Sequence, residues 1–390
     1  MRFPILLGCI LLLASCQKKE STTSTAVDQT VLARVFGSNI QVNNLDEYAA
    51  QSKPAYVNRD NTAGNNITNA KATLGRVLFY DKNLSVDRSI SCASCHQQTV
   101  AFSDISRASI GIEGGTTGRH SMRLINSRFA QESRFFWDER AATLEIQTTQ
   151  PIQDHAEMGF SGTNGRPNLS ELLRRMEGLD YYQNLFQFVY GDRVVTEQRI
   201  QESLAQFIRS IQSFDSKYDA GRAAAPNDAV PFANFTAQEN QGKQLYLAPP
   251  IFDANGIRTG GGAGCQGCHR APEFDIDPNS RNNGVVAQIG GMGPDLTNTR
   301  SPSLRDLIRT NGSVNGPMMH NGAFPTLESV IEHYNRIPNN NNQLDPRLRP
   351  NGNPQQLNLT QAEKDALVAF LKTLSGTDVY TNRKWGNPFL

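Results

Sequence analysis

Two stretches of the chain have the residue types and spacing for covalent cofactor chemistry. They are Cys92-Ala93-Ser94-Cys95-His96 and Cys265-Gln266-Gly267-Cys268-His269. Cys-x-x-Cys-His is the attachment signature of c-type haem. The two cysteines add to the haem vinyl groups as thioethers, and the histidine offers an imidazole nitrogen to the iron. A zinc site would leave both adjacent histidines without a role, and a thiol redox pair needs no histidine. Two copies in a chain with six cysteines predict two covalently bound haem c groups.

The other two cysteines, Cys9 and Cys16, leave no pair for a structural disulfide. Met1-Arg2 opens an apolar run, Ile5 to Ala14, that is too short for a permanent membrane span. The run ends in Leu13-Ala14-Ser15-Cys16, which resembles the lipobox of bacterial lipoproteins. There the signal is cut before the cysteine, which is then acylated. The alternative is a plain secretory signal with a coincidental cysteine, and both predict export. On the lipobox reading residues 1–16 comprise the signal peptide with its lipobox, and Cys16 carries the lipid. The expected location is a periplasm-facing membrane of a bacterium, since several acyl chains anchor firmly where one binds only marginally.

The elements that must position the two motifs are helices. Lys71 to Tyr80 carries Leu74, Val77, Leu78 and Phe79 as an apolar stripe at helical spacing just before the first motif. Thr236-Ala237-Gln238-Glu239 reads as a capping box whose helix runs through Leu245 towards the second. Thr360-Gln361-Ala362-Glu363 opens a terminal helix with Leu367, Phe370, Leu371 and Leu374 on one side. Leu169 to Tyr190 and Glu197 to Tyr218 read as amphipathic helices, the second with Ile200, Leu204, Phe207, Ile208 and Ile211 on one face. No segment alternates as a strand. The expected fold is mainly α, with two cytochrome-c-like domains holding one haem each.

The length of 390 residues is too great for one ordinary core. A hydrophobic fraction of 38%, with 31 Gly and 19 Pro, suits a loop-rich protein whose cofactors fill its interior. The net charge of +1 gives no electrostatic case for nucleic acid. The expected division is a tether and extension over 17–67, flexible from Gln17 to Thr30, with structure beginning near Ala70. A first haem domain follows over 68–225 and a second over 226–390, joined by a linker at Gly221 to Ala233.

From about residue 68 to the C-terminus the sequence resembles the bacterial di-haem cytochrome c peroxidases, including the MauG-like branch. The resemblance rests on Leu74-Gly75-Arg76-Val77-Leu78-Phe79-Tyr80, the first haem motif and Phe136-Trp137-Asp138-Glu139-Arg140. It continues through Pro151-Ile152-Gln153-Asp154-His155-Ala156-Glu157-Met158 and the second haem motif. Ser301-Pro302-Ser303-Leu304-Arg305 and Pro317-Met318-Met319-His320-Asn321-Gly322 complete it.

The resemblance implies two unequal haems. His96 would be the proximal ligand of a peroxide-binding iron, and His269 that of an electron-transfer iron. Trp137 would relay electrons between them. Glu157 would take the proton from peroxide and return it to the leaving oxygen. Without the resemblance, Trp137 is a core ring and Glu157 a solvated loop carboxylate. His155 and His320 would support the pockets without binding iron. A calcium ion between the haems would be held by the carbonyls of Asn315 and Pro317, with His120 where the family has an asparagine. Histidine is a poor ligand for so hard a cation.

Two departures bear on mechanism. Where many relatives have a removable distal histidine, Ser109-Ile110-Gly111 is followed by Ile112, which cannot bind iron. The first haem is therefore expected to be open at rest, with His120 as the alternative ligand. On the second haem the methionine of most peroxidases is replaced by Tyr334, as in the MauG-like enzyme. Leu327, Val330, Ile331 and Tyr334 also share a helical face, so Tyr334 could simply pack. His333, Met292, Met318 and Met319 are the rival ligands.

The expected activity is reduction of hydrogen peroxide to water with electrons from a small cytochrome c or a similar donor. One alternative is a MauG-like enzyme that uses peroxide to oxidise side chains of a partner protein. Another is a non-enzymatic di-haem electron carrier, against which an open haem beside Glu157 argues. Relatives are often dimers, and the resemblance extends that expectation to a homodimer here.

Overall fold

The computed structural model describes residues 27–390 apart from 132, 133, 277, 279, 298, 339 and 340. The signal segment and Cys16 lie outside the described residues. The side chain of Asp28 accepts the backbone N–H of Thr30 at 2.9 Å and starts helix α1 (Gln29–Phe36). The remaining helices are α2 (Asn69–Tyr80), α3 (Cys92–Cys95), α4 (Leu144–Gln153), α5 (Leu169–Glu177), α6 (Asp180–Tyr190), α7 (Glu197–Ser210), α8 (Lys217–Ala223), α9 (Ala237–Leu247), α10 (Leu327–Asn335) and α11 (Gln361–Lys372). Strands are limited to two antiparallel ribbons among the described residues. They pair β1 (Pro250–Phe252) with β2 (Arg258–Gly261), and β3 (His269–Arg270) with β4 (Asp275–Ile276). These are too short to show alternation, so no sequence pattern marks them.

The fold repeats one helix crossing. In α2 the buried stripe Leu74, Val77, Leu78 and Phe79 packs on α7, whose Ile200, Leu204, Phe207 and Ile208 are buried. Gly75 makes the crossing close: a Cβ there would lie 2.0 Å from the Ser203 carbonyl oxygen and 2.8 Å from the Phe207 Cβ. The crossing of α9 with α11 has the same form. A Cβ on Gly242 would lie 1.9 Å from the Ala366 carbonyl oxygen and 2.9 Å from the Phe370 Cβ. In both, a glycine faces two partner residues four apart, one above the other on the helix. Thr236 with Glu239 and Thr360 with Glu363 form the capping boxes read from the sequence.

Two long helices of the sequence reading are broken. Leu169 to Tyr190 divides at Gly178 into α5 and α6, with the Gly178 N–H turned back to the carbonyls of Arg174 and Arg175. Glu197 to Tyr218 stops at Ser210 because a distant residue takes over the backbone. The Asn126 N–H donates to the Ile211 carbonyl at 2.9 Å, and its side-chain amide brackets Ser213 at 2.8 and 3.1 Å. Ser216 then starts α8 with its own capping box to Asp219.

Order begins well before Ala70, contrary to the sequence reading. Leu32, Phe36, Ile40 and Tyr48 are buried in the core built by α2 and α7. Thr30, assigned to the tether, lies inside α1. These apolar residues are too scattered to show a period. Nor do the two cores respect a cut at 225/226. Tyr218 belongs to the second core, while Val379 and Trp385 return to the first. The Trp385 indole donates to the Ser210 carbonyl at 3.1 Å, and Tyr80 Oη donates to the Trp385 carbonyl at 2.7 Å. The predicted linker is likewise pinned, with Phe232 buried. Arg305, fully buried, joins the halves through two 2.9 Å bonds to the Asp219 carboxylate. Removing either partner would leave an uncompensated buried charge.

Candidate functional site

The first motif opens with α3, a single turn. The Ser91 N–H donates to Ser94 Oγ at 3.0 Å, and the His96 N–H closes on the Cys92 carbonyl at 2.9 Å. Ala101 (φ 56°) and Phe102 (φ 58°) are both left-handed, a conformation that costs a non-glycine residue ~1–2 kcal/mol. The bend returns the Phe102 carbonyl to His96, whose Nδ1 lies 3.1 Å from it. A carbonyl only accepts, so Nδ1 carries the proton and Nε2 is left as the free lone pair. The second motif reaches the same state by another route. His269 Nδ1 lies 3.0 Å from the Pro302 carbonyl. Burial holds both imidazoles below their ordinary pKa, His269 at about 4, so both are neutral at pH 7.

Each motif walls a cavity. The cavity at Cys92, Cys95 and His96 holds about 560 Å³, and that at Cys265, Cys268 and His269 about 580 Å³. Both are of the size that large organic cofactors occupy. Two thiols and a neutral imidazole on each wall fit one haem per cavity. His120 to Arg123, Trp137, Arg300 and Pro302 line both cavities, forming a shared partition.

Trp137 is buried in that partition. Its indole Nε1–H donates to the His120 carbonyl at 2.6 Å, and its own carbonyl accepts the Arg300 N–H at 2.7 Å. Phe136 (φ 72°) and Glu139 (φ 57°) bend the chain around it, and Phe135 pairs with Ala141 to close the turn.

Glu157 lines the first cavity. Asp154 Oδ1 accepts the N–H groups of Ala156 and Glu157 at 2.9 and 3.0 Å, fixing the turn that carries it. A glycine loop clamps the turn from outside: a Cβ on Gly111 would lie 2.0 Å from the Ala156 carbonyl oxygen. The Ile112 N–H donates to the Glu157 carbonyl at 3.0 Å. Among the described residues the Glu157 carboxylate has no hydrogen bond. Burial and the neighbouring Asp154 charge push its pKa up to about 7, against the pull of Arg140. A carboxyl of that pKa can both accept and return a proton at neutral pH.

Comparison with known proteins points the same way. The segment over residues 69–225 matches the family model described as di-haem cytochrome c peroxidase. The methylamine utilization protein MauG of Methylophilus methylotrophus is 29% identical over 319 residues, covering 80% of this chain and 84% of that protein. The cytochrome c551 peroxidase of Nitrosomonas europaea is 26% identical over 317 residues, covering 78% and 80%. A crystal structure of a MauG-like protein associated with microbial copper homeostasis superposes with a TM-score of 0.66 at 26% identity, covering 86% of this chain and 98% of that one.

The structure separates the sequence-predicted residues. Glu157 and Trp137 share the first cavity with His96, and Tyr334 shares the second with His269. Ile112 is buried and packs towards Gly159. Both ring nitrogens of His120 have polar neighbours. Nδ1 lies 3.0 Å from the Ser106 carbonyl and Nε2 3.3 Å from Ser103 Oγ. His120 does sit beside Gly316, between Asn315 and Pro317. The Asn315 side chain is committed to Asp306, Arg309 and Tyr380. Among the described residues no cluster of three or more His, Cys, Asp or Glu could hold a metal ion. His155 is exposed on Ser161. Among the described residues the His320 ring has no hydrogen bond; its Nε2 lies 3.7 Å from Asp295 Oδ2, and the ring packs edge-on to Trp137 with centroids 6.3 Å apart.

Of the rivals to Tyr334, Met292 is 99% exposed and His333 Nε2 is taken by the Asn283 carbonyl at 2.8 Å. Met318 and Met319 remain in the second cavity with Tyr334. Asn283 Nδ2 reaches both the Tyr334 hydroxyl, at 3.4 Å, and Met319 Sδ, at 3.5 Å. Burial raises the phenol pKa. The roles of Asn283 and Asp154 could not be read from the sequence, because both act on partners brought in by the fold.

Proposed function

We propose that the chain is a peroxidase carrying one covalent haem c in each cavity, which reduces hydrogen peroxide to two waters with two electrons and two protons. Cys92, Cys95 and His96 would hold the first haem, and Cys265, Cys268 and His269 the second. When bound, the haems supply the iron-centred redox chemistry. Tyr334, on the wall of the second cavity, would offer its phenol oxygen to the iron there.

The observation that carries this reading is the Glu157 carboxylate, free of hydrogen bonds in the first cavity and poised near pH 7. A pure electron carrier needs no such group. Glu157 removes a proton from peroxide and delivers it to the departing oxygen, while the Gly111 to Gly115 clamp keeps it in place. The Trp137 indole, in the partition between the cavities, passes electrons from one side to the other. Electrons enter from a small cytochrome c or a similar donor. On the lipobox reading the protein is exported and held at a membrane through Cys16. No helix among the described residues is long and apolar enough to cross a membrane.

The test is turnover of peroxide by the haem-loaded protein with reduced cytochrome c. Glu157→Gln should lose about 10²- to 10⁴-fold, the usual worth of a positioned acid–base group. No turnover by the wild type with any donor would favour an electron carrier.

Tyr334 in the second cavity favours a second reading, a MauG-like enzyme that directs the same oxidising equivalents at side chains of a partner protein. A partner captured with the protein and oxidised only when peroxide is present would support it.

A further inference from the structure

Arg123 occupies the partition and lines both cavities. One guanidinium nitrogen, Nη2, donates to the Ser303 carbonyl at 3.2 Å. Among the described residues its Nε, like that of Arg305, is buried without a hydrogen-bond partner. Among the described residues no carboxylate lies within 4 Å of it. Asp306 attracts it only at longer range, and one Asp306 oxygen is committed to the Gly376 N–H at 2.9 Å and Tyr380 Oη at 3.2 Å. Arg305 shows what this protein does with a buried guanidinium elsewhere, setting it on both oxygens of Asp219. Burial lowers the Arg123 pKa to about 10, which leaves it charged at pH 7. A guanidinium on the cavity walls with no carboxylate in contact keeps donors for an acid group of whatever fills the cavities, which would offset the cost of its burial.

We propose that Arg123 pairs with a propionate carboxylate of the haem in one or both of the cavities it lines, and that it thereby raises the potential of that haem. The guanidinium fork matches a carboxylate, and the haem periphery carries two of them. A cation held against the haem edge favours the reduced iron, which carries one positive charge fewer. The inference rests on the two-haem reading, and the haem content of the wild-type protein tests that reading separately.

The experiment is a potentiometric titration of the full-length, haem-loaded protein, following each haem by its absorbance. Arg123→Gln should shift at least one midpoint downwards, and Arg123→Lys should stay near the wild type because it keeps the charge. A shift in the first haem, the second or both identifies which carboxylate is bound. Unmoved midpoints in Arg123→Gln would overturn the proposal, as would an equal fall in Arg123→Lys. If Arg123→Gln takes up no haem, covalent haem per chain becomes the readout. Loading restored by Arg123→Lys supports a charge requirement, and loss in both variants overturns it.

Discussion

The indole Nε1–H of Trp137 donates to the carbonyl oxygen of His120 at 2.6 Å, tying the ring to the backbone that both cavities share. A backbone carbonyl cannot take the proton away, so the ring keeps its N–H whether or not it has lost an electron. Trp137→Phe keeps most of the packing and removes both the bond and the easily oxidised indole. Peroxide should still change the spectrum of the first haem, while the response of the second slows. Stopped-flow absorbance checks this, and equal rates in the two proteins would remove Trp137 from the relay.

The raised pKa of Glu157 sets a pH profile. The anion is the proton acceptor, so kcat/KM should rise with pH through a midpoint near 7. Asp154→Asn removes the neighbouring charge and should move the midpoint down. Stability runs the other way. The fold favours the neutral carboxyl, so this group's contribution is complete below its ordinary value of 4.5 and is lost as pH rises through about 7. Glu157→Gln should therefore gain in Tm on the wild type at pH 8 compared with pH 5. A profile flat from pH 5 to 8 would contradict both expectations.

The two glycine crossings make a paired stability prediction. Gly75→Ala and Gly242→Ala each place a methyl against a backbone carbonyl that cannot swing away. Over-packing of this kind costs ~1–3 kcal/mol or more, despite the better helix propensity of alanine. Denaturant titration should show each loss, and an unchanged midpoint would mean that the helices part easily.

Phe36 checks the ordered N-terminal segment. It is fully buried, with ring contacts to Tyr181 at 5.7 Å and Phe389 at 5.1 Å. Phe36→Ala should cost about 3–5 kcal/mol, a typical core phenylalanine truncation. A near-neutral result in thermal unfolding would make this segment a dispensable extension.

Tyr334→Phe tests the proposed role of this phenol in the second cavity. Loss of the hydroxyl should alter the low-spin ferric signal in electron paramagnetic resonance and leave the first haem's signal unchanged. Asn283→Ala, which frees the hydroxyl from the Asn283 amide, should give a smaller change of the same signal. If Tyr334→Phe leaves the spectrum intact, Met318 and Met319 become the ligands to examine.

How much was legible depends on distance along the chain. The capping boxes at Thr236 and Thr360 span four residues each and could be read directly. The end of α7 could not, because Asn126 supplies the competing hydrogen bonds from 85 residues upstream of Ile211, about the separation recorded for its bonds to Ser213 (87). The return of Trp385 to the first core was hidden for the same reason. Glu157 looked like a solvated loop carboxylate until the Gly111 loop closed over its turn. Arg123 is a lone arginine in the sequence, with nothing to mark it.

The sequence by itself determined what is covalent and local. Two Cys-x-x-Cys-His stretches commit their thiols and imidazoles within five residues, whatever surrounds them. Only the tertiary structure decided what those groups face. It set Trp137 and Arg123 in a partition between two cavities, raised the pKa of Glu157 and brought Tyr334 to His269. Burial and electrostatics are sums over neighbours, and those neighbours come from segments far apart in the chain.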